Sequence, residues 1–259
     1  MTTYDISKLN TRRQKILESL GREGMVRVVT LSQTLGASEV TIRNDLAELE
    51  RGGFLERIPG GALQTLKNYY NMDFQQRKQQ NSEEKQAIAT KAADLVFDGE
   101  TLLINSGTTT FFTSLELKKC KNIKIVTNSL TIATELGGIP TIIVLLLGGQ
   151  LNAQYSFTYG DDAIAQLKKY KADKLILSVD GIDADKGLTT YHAEETELIR
   201  LMIERARSTI VVADYSKVGH ESFSYLGPIE DADYLVTNRN GNSDQLRKIA
   251  ERKVEVIKI

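Results

Sequence analysis

A chain of 259 residues is long enough to bury one large hydrophobic core and a second, smaller one, so two domains are expected. Its composition, 41% hydrophobic and 26% charged, is ordinary for a globular protein, and no apolar run approaches the roughly 20 residues that span a bilayer. A net charge of -1 excludes a surface that is basic throughout, so any contact with nucleic acid must be local.

One cysteine and two histidines leave no internal disulfide and no cluster with metal-ligand spacing. The first residues lack the basic start and apolar middle of a secretory signal. We therefore expect a cytoplasmic protein with no structural metal, no cofactor and no membrane partner.

The first 63 residues carry three helical patterns and a short β-ribbon. A first helix is predicted over residues 8–23, and a short second helix follows and stops at Gly36. Ser38 is placed to cap a third helix that runs to Arg51. The predicted buried positions are Val29, Leu31 and Leu35 in the second helix and Val40, Ile42, Leu46 and Leu49 in the third. With a predicted ribbon over 54–61, residues 1–63 form a predicted winged helix-turn-helix domain.

Residues 64–80 are rich in Gln, Asn and Lys, show no steady period and are the predicted linker. From residue 81 to residue 259, helical stretches such as 82–97 and 194–207 alternate with short apolar runs, which predicts an α/β domain with a mostly parallel sheet. The runs are Thr101–Ile104, Ile123–Thr127, Thr141–Leu147, Lys174–Val179, Thr209–Ala213 and Tyr234–Thr237. The run Thr141–Leu147 is apolar on both faces, which predicts a central strand covered by helices.

The third helix carries side chains suited to DNA. The second helix of a helix-turn-helix lies in the major groove with its first turn nearest the base edges. Here that region holds Ser38, Glu39, Thr41, Arg43 and Asn44, and such side chains bind bases or phosphates. Basic residues also gather in the first helix, where a solvated helix face explains them equally well. On spacing alone, the surface of a helical hairpin that binds no DNA stays an alternative.

A candidate phosphate site follows the first strand of the α/β domain. Asn105, Ser106, Gly107, Thr108 and Thr109 lie where a strand turns into a helix, and backbone N–H groups at a helix start bind anions. N-capping by Ser106 or Thr108 is the plainer explanation. Polar or glycine residues also end later strands, at the carboxyl edge where open α/β sheets bind ligands. These residues are Thr127, Asn128, Gly148, Gly149, Asp180 and Gly181, with Lys217 as a candidate cation for the phosphate.

These motifs resemble the DeoR family of bacterial sugar regulators over nearly the whole chain. The segments that carry the resemblance are Ser38–Glu50, Gly53, Pro59–Ala62, Ser106–Thr110, Thr127–Ser129, Gly148–Gly149, Asp180–Asp183, Gly187–Thr190, Glu194–Glu195 and Asp214–Lys217. The resemblance implies a recognition helix at 38–51 and a wing at 54–62, which adds Arg57, Gly60 and Gly61 to the DNA-binding residues. Two departures are Asn44, where the family usually has a second basic residue, and Pro59, where it has histidine.

The resemblance also implies an effector domain whose fold is shared with ribose-phosphate isomerases, glucosamine-phosphate deaminases and CoA transferases. The implied effector is a phosphorylated sugar, with Glu194 among its binding residues. The implied partner is double-stranded operator DNA, bound by a homodimer or homotetramer. Family members generally repress a catabolic operon and release it when its intermediate accumulates.

Two other functions are compatible with this sequence pattern. An enzyme of the sugar-phosphate isomerase or deaminase type could use acid and base groups beside the same phosphate site. The candidate groups are Asp180, Asp183, His192, Glu194 and Glu195. A winged helix has no use in such an enzyme, so we expect a regulator without catalytic activity. An activator with the same architecture stays open, because a sequence does not set the sign of regulation.

Overall fold

The computed structural model describes residues 10–23, 25–52, 54–64 and 72–259. The chain divides into an N-terminal unit, Met1–Ser82, and a C-terminal unit, Glu83–Ile259, each with its own hydrophobic core. The predicted helix end at Gly24, the family-like Gly53 and residues 65–71 of the predicted linker lie outside the described residues.

The N-terminal unit is a winged helix-turn-helix, as predicted. Its helices are α1 (Thr11–Glu23), α2 (Val28–Leu35), α3 (Glu39–Arg51) and α4 (Phe74–Gln79). Its strands are β1 (Met25–Arg27), β2 (Leu55–Ile58) and β3 (Gly61–Gln64), which form an antiparallel sheet in the order β1-β3-β2. The core lies between the helices and this sheet, and its fully buried members include Ile16, Leu20, Ile42, Leu46 and Leu49.

Two glycines shape this unit. Gly36 ends α2 in the left-handed region with φ 62°, which allows the chain to turn into α3. Gly60 has φ 80° and completes, with Pro59, the two-residue turn between β2 and β3. The predicted tight turn of the wing is therefore present.

Three predictions for this unit need correction. Val40 and Val29 were expected on buried helix faces, but they are 65% and 53% exposed. Asp45 is buried in α3 instead, and Val28 is buried in α2. The predicted linker contains helix α4, which packs against α1. Its N-terminus is stabilised by a reciprocal capping box between Asp73 and Gln76. The helix was not predicted because its sequence has no apolar period.

The C-terminal unit is α/β, as predicted. Its helices are α5 (Ser82–Ala93), α6 (Thr108–Glu116), α7 (Leu130–Leu136), α8 (Asp161–Leu167), α9 (Thr196–Arg205) and α10 (Ser243–Glu251). α5 and α9 are shorter than the predicted stretches 82–97 and 194–207. The strands of its large sheet are β4 (Thr101–Ile104), β5 (Ile123–Thr127), β6 (Ile142–Leu146), β9 (Ala172–Leu177), β12 (Ala206–Val212), β14 (Tyr234–Thr237) and β15 (Glu255–Lys258). The smaller strands are β7 (Gln150–Asn152), β8 (Phe157–Tyr159), β10 (Gly181–Asp183), β11 (Gly187–Thr190) and β13 (Ser224–Gly227).

The large sheet is parallel at every strand pair and has the order β15-β14-β12-β9-β4-β5-β6. β6 therefore lies at an edge of the sheet, and the prediction of a central strand for Thr141–Leu147 was wrong. Ile143 and Leu146 are 53% and 43% exposed, so this apolar strand is only partly covered. An apolar run indicates that both faces of a strand are suited to burial. The position of that strand in the sheet depends instead on which strands pair with its two edges.

The strand order places a topological switch between β4 and β9. The chain runs outward from β4 through β5 to β6, then returns to build β9 and the following strands on the other side of β4. Open α/β sheets bind ligands in the crevice that such a reversal leaves at the carboxyl ends of the strands. The turn after β4 lies at this point.

Candidate DNA-binding face and effector site

The outward face of α3 is formed by residues at helical i, i+3, i+4 and i+7 spacing. Val40, Arg43 and Asn44 are exposed and Ala47 is partly exposed, while Ile42, Asp45, Leu46 and Leu49 are buried on the opposite face. The helix thus presents an apolar, a cationic and an amide side chain on one stripe.

The first turn of α3 is held by local hydrogen bonds. The Ser38 hydroxyl accepts from the Thr41 N–H at 3.1 Å, so Ser38 is the N-cap, as predicted. Arg43 pairs with Glu39 at 2.6 Å, one helical turn away, and both side chains are exposed to water. Exposed pairs of this kind contribute only about 0.3–0.5 kcal/mol, so Arg43 can exchange Glu39 for a nucleic-acid group at little cost.

The sequence interpretation overlooked the role of Asp45. Its carboxylate accepts from Arg12 at 2.5 Å and from Arg13 at 2.9 Å, which joins α1 to α3. Burial opposes the ionised form, but these two hydrogen bonds and the two positive charges hold the pKa of Asp45 below its usual value. Two of the basic residues of the first helix, Arg12 and Arg13, therefore help to position α3.

The wing residues have structural partners. The Arg57 side chain donates to Glu50 of α3 at 2.7 Å, and its backbone N–H donates to the same carboxylate at 3.0 Å. Gly61 lies so close to β1 that an added Cβ would be 2.1 Å from the Val26 carbonyl oxygen. Arg57 thus links the wing to α3, while Gly60 and Gly61 shape the turn.

The predicted phosphate turn lies at the switch point of the sheet. Asn105 and Ser178, which follow β4 and β9, are joined by two hydrogen bonds of 2.9 and 2.8 Å, so both polar atoms of the Asn105 side chain are engaged. Gly107 has φ 151°, and an added Cβ would lie 2.7 Å from the Ser178 Cβ. No side chain larger than glycine fits this turn without movement.

Gly107 is also the N-cap of α6, and it offers no side-chain cap to the first turn. N-capping by Ser106 or Thr108 is therefore not what these residues do. Thr108 and Thr109 begin the helix and are almost fully buried, at 7% and 4% exposure. The first turn of α6 therefore receives no hydrogen bond from the side chain of its N-cap residue.

A buried hydrogen-bond network beside this turn joins the ends of β4 and β5 to the short helical turn that precedes α9. The Ser106 N–H donates to the Asn128 side chain at 3.0 Å, and the Ser106 hydroxyl donates to Glu195 at 2.9 Å. Asn128 also donates to Glu195, at 3.2 Å, and to the Thr158 carbonyl, at 3.1 Å. Thr127 accepts from the Ser129 N–H at 3.1 Å and so shapes the turn before α7.

Glu195 is the carboxyl at the centre of this network, whereas the sequence interpretation selected Glu194 as the binding residue. Burial raises the pKa of Glu195 to about 8, against the hydrogen bonds from Ser106 and Asn128 and with the help of the nearby charges of Asp180 and Glu194. Glu195 is therefore mostly protonated at neutral pH and can donate a hydrogen bond. Glu194 is partly exposed and accepts from Asn152 at 3.1 Å.

The other predicted residues shape neighbouring turns. Asp180 accepts from the Tyr191 N–H at 3.0 Å, and Gly181 allows the close approach of the Thr189 side chain and the His220 carbonyl. The Gly148 N–H donates to Gln166 at 3.0 Å, and an added Cβ at Gly149 would lie 2.4 Å from the Tyr159 carbonyl oxygen.

Lys217 lies in a short helical turn after β12 and is 8% exposed. Asp214 caps this turn, is fully buried and is near the charges of Lys217 and Lys85. Burial opposes its ionisation, yet the two lysines hold the pKa of Asp214 below its usual value. Lys85, buried in α5 at 1% exposure, had no signal in the sequence because it lies among charged residues at a helix start.

Among the described residues, no helix is long and apolar enough to cross a membrane. The same part of the chain contains no group of three or more His, Cys, Asp or Glu side chains that could hold a metal ion.

The fold and these sites define a regulator with a DNA-binding unit and a ligand-sensing unit. The DeoR-like helix-turn-helix domain matches residues 12–66, and the DeoR C terminal sensor domain matches residues 80–239. A putative aga operon transcriptional repressor of Escherichia coli O157:H7 is 33% identical over 254 residues, which cover 97% of this chain and 94% of the relative. The glycerol-3-phosphate regulon repressor of Escherichia coli K12 is 31% identical over 231 residues, 89% of this chain and 91% of the relative. The chain belongs to the DeoR family of transcriptional regulators.

Two solved structures show partial likeness. A ribose 5-phosphate isomerase from Plasmodium falciparum is 19% identical with a TM-score of 0.38, and the match covers 54% of this chain and 52% of that one. A translation initiation factor eIF-2B from Pyrococcus horikoshii is 18% identical with a TM-score of 0.48, over 81% and 80% of the two chains. At these values the likeness carries no information on function.

Proposed function

We propose that this protein represses a carbohydrate catabolic operon and leaves its operator when a phosphorylated sugar binds the C-terminal unit. The proposed assembly is a cytoplasmic homodimer or homotetramer, because paired half-sites require symmetric recognition helices. Ser38, Glu39, Thr41, Arg43 and Asn44, with the wing, are the proposed DNA-binding residues.

The outward face of α3 supports the DNA-binding part. The α3 helix is capped by Ser38 and joined to α1 through Asp45, and its Val40, Arg43 and Asn44 side chains are exposed. Arginine binds guanine and asparagine binds adenine through paired hydrogen bonds in the major groove. Among the described residues, the partner of the Arg43 side chain is the exposed carboxylate of Glu39, so Arg43 is available for such a contact.

The turn at Gly107 is the observation that carries the effector part. A helix start without a side-chain cap lies at the switch point of a parallel sheet, and the buried hydroxyls of Thr108 and Thr109 are beside it. Lys217 supplies the proposed cation. The relative from Escherichia coli K12 is named for a glycerol-3-phosphate regulon, and glycerol 3-phosphate shares with a sugar phosphate one phosphate group on a small hydroxylated carbon chain.

Catalysis is not part of the proposal. Asp180 and Glu194, two candidate acid or base groups, accept hydrogen bonds from the Tyr191 N–H and the Asn152 amide. We therefore assign them to the shape of the site. Glu195 is proposed to donate a hydrogen bond to a sugar oxygen.

The proposal is tested with two variants that separate the sites. A duplex is first selected by the wild-type protein from a random-sequence pool, and a panel of sugar phosphates is screened by thermal shift, since a ligand of the native state raises the melting temperature. Arg43→Ala should weaken duplex binding by about 1–3 kcal/mol, the value of a paired base contact, and keep the thermal shift. Lys217→Ala should bind the duplex normally and lose the thermal shift.

Each variant serves as the folding control for the other. Unchanged duplex affinity in Arg43→Ala would contradict the placement of the recognition helix. An equal thermal shift from a sugar and its phosphate would contradict the phosphate site. If the wild-type protein selected no duplex at all, the proposed function would fail.

A further inference from the structure

Val40 is the most exposed large apolar side chain among the described residues of the N-terminal unit, at 65%. It is the second residue of α3 and shares the outward stripe with Arg43 and Asn44. The buried face of this helix is complete without it, since Ile42, Leu46 and Leu49 fill the core. Most of the Val40 side chain therefore faces solvent, and it is not one of the residues that fill the core of its own unit.

Single exposed apolar residues are common on protein surfaces, so exposure alone does not indicate a ligand. The position of Val40 is more informative. Valine is a poor helix former because its branched Cβ restricts the side chain, and at 65% exposure little burial compensates for that. The residues of a recognition helix that reach base edges are those of its N-terminal end, where Val40 lies.

We infer that Val40 packs against the C5-methyl group of a thymine and so determines part of the operator sequence. In the major groove, thymine is the base that presents a methyl group, and apolar side chains bind it by contact. This inference rests on the proposed DNA-binding function and specifies one base that α3 recognises.

The neighbouring residues fix where this thymine lies. Side chains at i, i+3 and i+4 have Cβ atoms roughly 5–6 Å apart, which is comparable with one or two base-pair steps of about 3.4 Å. The thymine bound by Val40 is therefore within one or two base pairs of the bases that Arg43 and Asn44 bind.

The test removes the methyl group and nothing else. In the duplex selected by the wild-type full chain, each thymine is replaced singly by uracil, which keeps base pairing and the hydrogen-bonding pattern of the groove. Dissociation constants are measured by fluorescence anisotropy at one salt concentration, because affinity for DNA depends steeply on salt. One thymine in each half-site should be sensitive, and its replacement should weaken wild-type binding about fourfold, the effect of returning one methyl group to water.

Val40→Ala should bind the thymine and uracil duplexes equally well, since the shorter side chain does not reach the methyl group. Val29→Ala is the matched control, because Val29 is also an exposed valine, 53% exposed, but lies on α2. It should keep the fourfold difference.

Two results would overturn the inference while leaving the proposed function intact. One is a selected duplex in which no thymine is sensitive to uracil. The other is an undiminished fourfold difference in Val40→Ala. Failure of the wild-type protein to select any duplex is a distinct result, and it would overturn the proposed function and the thymine contact together.

Discussion

Replacing Glu195 with glutamine should change how the stability of the C-terminal unit depends on pH. Glu195 is 4% exposed and accepts hydrogen bonds from Ser106 and Asn128 at 2.9 and 3.2 Å. Burial raises its pKa from the ordinary 4.5 to about 8 in the folded protein. The side chain of glutamine has the same shape and cannot ionise.

The direction of the effect follows from the two pKa values. Below pH 4.5 the carboxyl of Glu195 is protonated in both the folded and unfolded chain, and its contribution to stability is fully present. As the pH rises from 4.5 to about 8, the unfolded chain loses the proton and the folded chain keeps it, so stability is lost. The loss is about 1.4 kcal/mol per pH unit, or roughly 3 kcal/mol between pH 5 and pH 7.

The measurement is the free energy of unfolding of wild type and Glu195→Gln at several pH values in this range. Amide hydrogen exchange in β4 and β9 reports on the C-terminal unit, because buried central strands exchange through its unfolding. Other titrating groups cancel in the difference between the two proteins. That difference should shift in favour of the variant by roughly 3 kcal/mol from pH 5 to pH 7. A difference that stays constant over this range would refute the raised pKa.

Three further predictions concern other residues. Gly107→Ala should lower the melting temperature and abolish the sugar-phosphate thermal shift, because its Cβ would lie 2.7 Å from the Ser178 Cβ; an unchanged shift would contradict the tight turn. Asp45→Asn should destabilise the N-terminal unit by roughly 1–2 kcal/mol in urea denaturation, since two arginines lose a charged partner, and an unchanged free energy of unfolding would contradict the role of Asp45 in joining α1 to α3. Sugar-phosphate affinity should fall above pH 8 in calorimetry, because an ionised Glu195 cannot donate its hydrogen bond to the sugar, and a flat profile would count against its placement.

Much of the fold follows from local patterns. Hydrophobic spacing and turn residues predict the winged helix, and apolar runs between helical stretches predict the parallel sheet. The position of β6 could not be predicted, because lateral strand order depends on contacts that are distant in sequence. Helix α4 depends on the reciprocal cap between Asp73 and Gln76, and a cap carries no hydrophobic period.

For the candidate site, too, the sequence predicts local features but not which side chains the fold buries. Strand-end motifs predict the Gly107 turn, since a glycine followed by hydroxyl residues is a local signal. Nothing local distinguishes Glu194 from Glu195, and only the packing of the chain makes one exposed and the other buried. For Val40 and Asp45 a local pattern gave the wrong prediction. The helical period of apolar residues favoured burial of the valine, whereas the structure buries the aspartate.

Release of the operator by a sugar phosphate requires that each ligand weakens the binding of the other, and thermodynamic linkage makes this measurable from both sides. Duplex affinity is measured with and without saturating sugar phosphate, and sugar-phosphate affinity with and without saturating duplex, all at one salt concentration. Each ligand should lower the affinity for the other by the same factor, roughly 5- to 150-fold, which corresponds to about 1–3 kcal/mol of coupling free energy. Independent binding of the two ligands, or tighter duplex binding in the presence of the sugar phosphate, would refute release by the effector.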